Sequence, residues 1–360
     1  MKQQRRILEM RKGQEIFRGI YSAAVPILAA VIVSAVAFAL MGYDPLKAFG
    51  GLLSGSMGSL NAWGGTLNKA TPLILTGLSY AVAQRCGIVN LGGEGQVYIG
   101  ALAAVLVGTE LSGLPAPIHL PLTLLAGFLG GGLFGLLPAA MKNRFGASEL
   151  ITTIMLNYVA LYFVHYMIAG PIKDTSTTSN FAQSKQVLDT AQLPRILPGT
   201  RLHAGILVVV AMLIFYRFFM WHTTRGYEMR VIGYSPTVGE CAGMNVKADT
   251  LLSMFLAGGF AGLGGSCELL GVQLRIMENA FNGLGFNGIA VALLGGNTAG
   301  GIALSGLLFG ALSNGANKMQ IQSGLPSATT YMLQGLIILF VVGRALFAFR
   351  RFRRSRRAAA

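Results

Sequence analysis

One glutamate and a few amides carry most of the chemistry open to this chain. In Gln84–Ala104, QRCGIVNLGGEGQVYIGALAA, Asn90, Glu94 and Gln96 stand among Gly92, Gly93 and Gly95 at the start of an apolar run. Each glycine costs a helix roughly 1 kcal/mol against alanine, so the pattern predicts a helix broken here. A break exposes backbone donors and acceptors, which hydrocarbon tolerates only where they are buried in protein or line a cavity. Glu94 is the acidic residue that the pattern sets well within an apolar segment. Such a carboxylate serves solute passage, ion handling or pairing that fixes the bundle. Its structural reading is a hydrogen bond to a neighbouring helix.

A second interrupted segment is Glu278–Gly300, where Asn279, Asn282, Phe286 and Asn287 surround a short hydrophobic piece ending in Gly-Gly-Asn. It reads as a re-entrant or half-length helix. Interrupted segments in both halves of a membrane chain point to a transport path. Asn157 and Tyr158, in ITTIMLNYVALY, add polar groups to an intervening apolar run. An isolated Asn in a span commonly joins helices, so Asn157 is either glue or a ligand. Phe286 offers an aromatic face or simple packing. In Thr224–Thr250, Ser235 predicts a helix cap with Pro236 at the first position. Gly239, Ala242 and Gly243 would let a soluble partner approach closely, or the segment is an ordered connector.

Soluble-enzyme chemistry has no matching motif. GGEGQ lacks the Gly-Lys-Ser/Thr that cradles phosphate. The four histidines, His119, His165, His203 and His222, form no zinc pair, and no GxSxG elbow occurs. Cys86, Cys241 and Cys267 are an odd number without metal-ligand spacing. No catalytic residue, metal or cofactor is expected; if uphill transport uses ATP, its hydrolysis belongs to another chain.

The elements that hold these residues follow from composition. Of 360 residues, 53% are hydrophobic and 11% charged, with 49 glycines. Soluble domains carry charge on roughly a quarter of their residues, so this chain needs lipid around it. Apolar windows predict an all-α polytopic membrane protein with about ten spans, some short or broken. They are Ile20–Met41, Thr66–Ala83, Ile88–Val107, Ile118–Met141, Leu150–Ala169, His203–Met220, Leu251–Gly271, Phe286–Gly295, Gly300–Asn317 and Ser327–Phe347. The Gly/Ser-rich stretch after the first span, from Asp44 to Gly65, reads as an interfacial helix. Residues 20–347 thus form the membrane domain, with an outer loop 171–202 and an inner loop 221–250. The net charge is +15, and 20 of the 28 Lys and Arg fall on one side of this topology, among them those of the basic N-terminus 1–19 and the tail 348–360. By the positive-inside rule both ends are cytoplasmic, and RRFRRSRR (Arg350–Arg357) reads as a lipid-facing anchor. Ala126–Gly135 (AGFLGGGLFG) is similar to Ala257–Gly265 (AGGFAGLGG) and runs the opposite way in this topology, as an inverted repeat would.

Together these segments resemble the permease family of ABC importers for branched-chain amino acids, simple sugars and nucleosides. The resemblance rests on Gly87–Gln96 with Gly100-Ala101, Glu149–Tyr158, Arg225-Gly226-Tyr227, the loop Gly233–Asn245, and Gly285–Gly295. It covers roughly residues 66–345. The form Asn90…Glu94-Gly95-Gln96 is most similar to the nucleoside-type branch. The resemblance implies a type II importer fold, like the vitamin B12 permease, in a bacterial plasma membrane. It further implies a second permease chain, a cytoplasmic ATP-binding cassette ATPase and an extracellular solute-binding lipoprotein. Asn90, Glu94, Gln96, Asn157, Tyr158, Phe286 and Asn287 would then line or shape the solute path. Ser235, Pro236, Glu240, Ala242, Gly243 and Met244 would dock the ATPase. The rival reading is an ion-coupled secondary transporter with Glu94 as its ion site.

Overall fold

A computed structural model describes residues 25, 28–175, 181–197, 199–326, 328–329 and 331–340. The basic N-terminus, the start of the first expected span, the end of the last one and the basic tail lie outside the described residues. Among the described residues every regular element is helical, joined by isolated bridges such as Lys173–Ser184 and Arg195–His203.

The helices are α1 (Leu28–Leu40), α2 (Pro45–Met57), α3 (Leu60–Arg85), α4 (Gly93–Glu110), α5 (Ala116–Phe145) and α6 (Glu149–Ala169). After the outer loop come α7 (Gly205–His222), α8 (Thr224–Tyr234), α9 (Pro236–Cys241) and α10 (Val246–Glu268), which ends in a π-helical turn, Leu269–Gln273. Then follow α11 (Leu284–Leu294), α12 (Ala299–Ser323) and α13 (Tyr331–Phe340). Five of them, α5, α6, α7, α10 with its π turn, and α12, are long and apolar enough to cross a membrane. The chain is thus an all-helical, polytopic membrane protein.

Several boundaries differ from expectation for local reasons. The Asp44–Gly65 stretch is not one helix, because Ser59 starts α3 by accepting the Ala62 N–H at 3.1 Å. The span expected from Ile88 begins only at Gly93. Gly87 turns the chain with φ +77°, and Asn90 Oδ1 holds the Gly92 N–H at 2.9 Å. The inner loop is largely helical, as α8 and α9.

Contacts divide the chain into two units. In the smaller, formed by the described parts of Met1–Gly55 and Gly315–Ala360, Gly55 and Gly315 let α2 lie against α12. In the larger, Ser56–Asn314, α10 is central: 83% of its apolar window is buried, against 28% for α5 and 22% for α7. The two similar glycine-rich segments are each other's packing partners. A Cβ on Gly131 would meet the Gly258 carbonyl, and one on Gly262 would meet that of Gly127. Small residues let two backbones touch where lipid offers no hydrophobic drive for helix association.

Candidate functional site: two helix starts clasped by Glu94

The first turn of α4 meets the first turn of α11 through glycine. A side chain on Gly285 would strike the backbone of Gly93 and Glu94. A helix start leaves its first N–H groups without intrahelical partners, and here each start finds side-chain acceptors from outside its own turn. Glu94 reaches out of α4 to cap α11: one carboxylate oxygen accepts the Gly283 N–H at 2.6 Å, the other the Gly285 N–H at 2.7 Å. The carboxylate is 8% exposed. It lies in the first turn of its own helix and at the start of another, so both macrodipoles favour its negative charge.

The start of α4 is secured from α6. Asn157 Oδ1 accepts the Gly95 N–H at 2.8 Å while its Nδ2 donates to the Leu91 carbonyl at 2.8 Å. Asn90 and Gln96 then face one another, with Asn90 Nδ2 donating to Gln96 Oε1 at 3.0 Å. Of the sequence-selected residues, Asn90, Glu94, Gln96 and Asn157 therefore form one buried cluster around the start of α4, in which Asn90 and Gln96 bond each other, Asn157 holds the backbone of that start and Glu94 the start of α11. The side chains of the others stay outside it, although the Phe286 backbone also hydrogen-bonds Glu94. Tyr158 and Phe286 are 54% and 49% exposed, and Asn287 is half-buried in the first turn of α11.

The inner segment folds as its caps dictate. Ser235 accepts the Val238 N–H, Pro236 opens α9, and Gly243 closes the turn at φ +76°. Gly239 is buried against Ile232 of α8, while Glu240, Ala242 and Gly243 are exposed and Met244 is half-buried. Beside them Tyr234 and Val238 stand out at 92% and 58% exposure.

Sequence reasoning missed three features. Asp249, fully buried in the first turn of α10, pairs with Arg225 of α8 at 3.3 Å. Glu268, also buried in α10, pairs with Lys69 of α3 at 3.0 Å, so Glu94 is not the sole acidic group inside a span. Lys69, Arg195, Arg201 and Asn68 help line a cavity of about 330 Å³ beside that pair. The third is the turn after α11, where the Asn297 carbonyl accepts from Arg85 Nη2 at 3.0 Å and Tyr216 Oη at 2.8 Å. The available signal for the first two was an acidic residue within a few positions of an expected span end.

A family model described as branched-chain amino acid transport system / permease component matches residues 63–342. The guanosine ABC transporter permease protein NupP of Bacillus subtilis is 40% identical, over 88% of this chain and 92% of its own length. The glucose ABC transporter permease protein TsgB13 of Haloferax volcanii is 34% identical, over 94% of this chain and 91% of its own. The guanosine ABC transporter permease protein NupQ of Bacillus subtilis is 30% identical, over 77% and 88%. No solved structure gives a significant match. A model match across most of the chain, together with the likeness to NupP and TsgB13 over nearly their full lengths, shows that the chain belongs to the branched-chain amino acid transport system permease family.

Proposed function

We propose that this chain is one permease subunit of an ABC importer that carries nucleosides across a bacterial plasma membrane by alternating access. The likeness to NupP over 88% of the chain is the observation that carries this reading. The likeness to TsgB13 keeps related sugars as the alternative solute. Because the chain is similar to both NupP and NupQ of one organism, its pore would pair it with a second, different permease chain. A cytoplasmic ATPase would drive the cycle and an extracellular lipoprotein would deliver the solute.

In this reading the membrane domain has about ten spans, in a type II importer arrangement with inverted-repeat halves and both termini cytoplasmic. The cluster of Asn90, Glu94, Gln96 and Asn157 shapes the path by fixing two half-helix starts, while Tyr158, Phe286 and Asn287 face it. Ser235, Pro236, Glu240, Ala242, Gly243 and Met244 form the coupling surface for the ATPase. The ion-coupled alternative is disfavoured by the site itself, since both Glu94 oxygens already accept backbone N–H groups.

Uptake by right-side-out vesicles or proteoliposomes holding the complete transporter, with ATP trapped inside on the ATPase side, tests the reading. Guanosine accumulation should require ATP and survive a protonophore. Accumulation that ignores ATP and collapses with the protonophore would establish the ion-coupled alternative. ATP-dependent uptake of glucose but not of nucleosides would establish the sugar reading.

A further inference from the structure

The outward faces of α5 and α6 differ in kind. On α5 the large exposed side chains between Ile118 and Met141 are Leu122, Leu125, Leu129, Leu133 and Leu137, all aliphatic. That is what lipid requires. On α6 the exposed face includes Tyr158, Tyr162 and Tyr166, at 54%, 66% and 65% exposure. Their spacing of four residues stacks them along one side of the helix, with rungs about 6 Å apart.

Rotation of α6 is fixed. Asn157 ties it to α4, and Thr153, Ala160, Val164 and Ile168 are buried in the bundle. The tyrosines must therefore look outward. Among the described residues, none of the three hydroxyls has a hydrogen-bond partner. A phenol in hydrocarbon without a partner costs several kcal/mol on alkane transfer scales. An aromatic belt at the membrane surface accommodates tyrosine near helix ends, which suits Tyr166. Tyr158, near the middle of the 21-residue α6, lies too deep for that.

We propose that Tyr158, Tyr162 and Tyr166 form a ladder along the aqueous solute route and present their rings as stacking faces for a nucleobase. This rests on the nucleoside-importer reading and deepens it by assigning the base, rather than the sugar, to α6. Aromatic stacking is tolerant of which base is offered, because every base has a π face. The hydroxyls remain in water. A solute moving along the helix would pass from one ring to the next.

Cysteine substitution in the complete transporter tests this, in a chain carrying Cys241→Ser because Cys86 and Cys267 are buried. Tyr158→Cys and Tyr162→Cys should react with a charged, water-soluble methanethiosulfonate far faster than Leu129→Cys. Guanosine should slow that reaction more than glucose does. Tyr162→Phe should keep uptake, while Tyr162→Leu raises the half-saturating guanosine concentration about tenfold. Reaction no faster than at Leu129→Cys would make this a lipid face and overturn the proposal. Fast reaction unaffected by guanosine, with Tyr162→Leu transporting like the parent, would leave a wet face without base stacking and overturn it too. A parent transporter that accumulates glucose and no guanosine would instead sink the nucleoside reading, before any variant is made. If Tyr162→Leu fails to fold, the comparison of Tyr162→Phe with Tyr162→Thr decides between ring and bulk.

Discussion

Glu94 was legible in the sequence as an anomaly, but its task was not. Glycines around a carboxylate marked a break, and the structure has a helix start there. What the carboxylate bonds lies 189 and 191 residues away, at Gly283 and Gly285. No local pattern encodes such a pairing. The same holds for Asn157, whose partners at Leu91 and Gly95 lie 66 and 62 residues away. Replacing Glu94 by Gln tests the clasp. An amide has one oxygen, so its NH₂ must confront either the Gly283 or the Gly285 N–H, and the negative charge between two helix starts is lost. Hydrogen bonds to charged groups contribute about 1.5–3 kcal/mol each. Glu94→Gln should therefore lower the thermal midpoint of the purified transporter and reduce uptake together. Unchanged melting with unchanged uptake would show that the clasp contributes nothing. Asn157→Leu should act in the same direction, because it strands the Gly95 N–H and the Leu91 carbonyl.

Among elements, glycine decides how closely helices approach. The likeness between Ala126–Gly135 and Ala257–Gly265 was visible in the sequence, yet its physical cause is a contact that only the fold displays. Gly127, Gly131 and Gly262 sit backbone to backbone across α5 and α10. The centrality of α10 was equally hidden, since a helix apolar on every side has no face to read. Lengths were legible for α6, where the expected Leu150–Ala169 is the helix Glu149–Ala169 less its first residue. They were less so for α3, whose polar first turns precede the apolar run that marked the span. Gly258→Leu should drive α5 and α10 apart and abolish the monodisperse, folded transporter on size-exclusion chromatography. Gly300→Ala, where a Cβ meets open space near the start of α12, should elute and melt as the parent does. Equal behaviour of the two variants would mean that the glycine contact does not set the packing.

For the whole molecule the question is how a cytoplasmic engine would move the α4–α11 clasp. The exposed Tyr234 and Val238 belong to a short helical pair, α8 and α9, that is not free to swing. Arg225 of α8 is bonded to Glu228 at 3.1 Å and to the buried Asp249 at 3.3 Å, and Asp249 is in the first turn of α10. Arg230 lies over the Trp221 ring at 4.2 Å, closing the other side of α8. A push on α9 is therefore delivered to α10, the helix around which α3, α4 and α5 pack. Contact and transmission can be separated on this basis. Val238→Asp places a charge on the exposed face proposed to dock the ATPase and should reduce co-purification of that ATPase. Asp249→Asn leaves that face intact but removes the charge that holds Arg225, so the ATPase should still co-purify. Its hydrolysis should then lose stimulation by solute-loaded binding protein, by a factor of about ten on the usual scale of coupling energies. If Asp249→Asn retains full stimulation, the Arg225–Asp249 pair is only a structural brace. If it releases the ATPase as Val238→Asp does, the pair acts by shaping the docking face. Stimulated hydrolysis and co-purification, measured on the same preparation, distinguish all three.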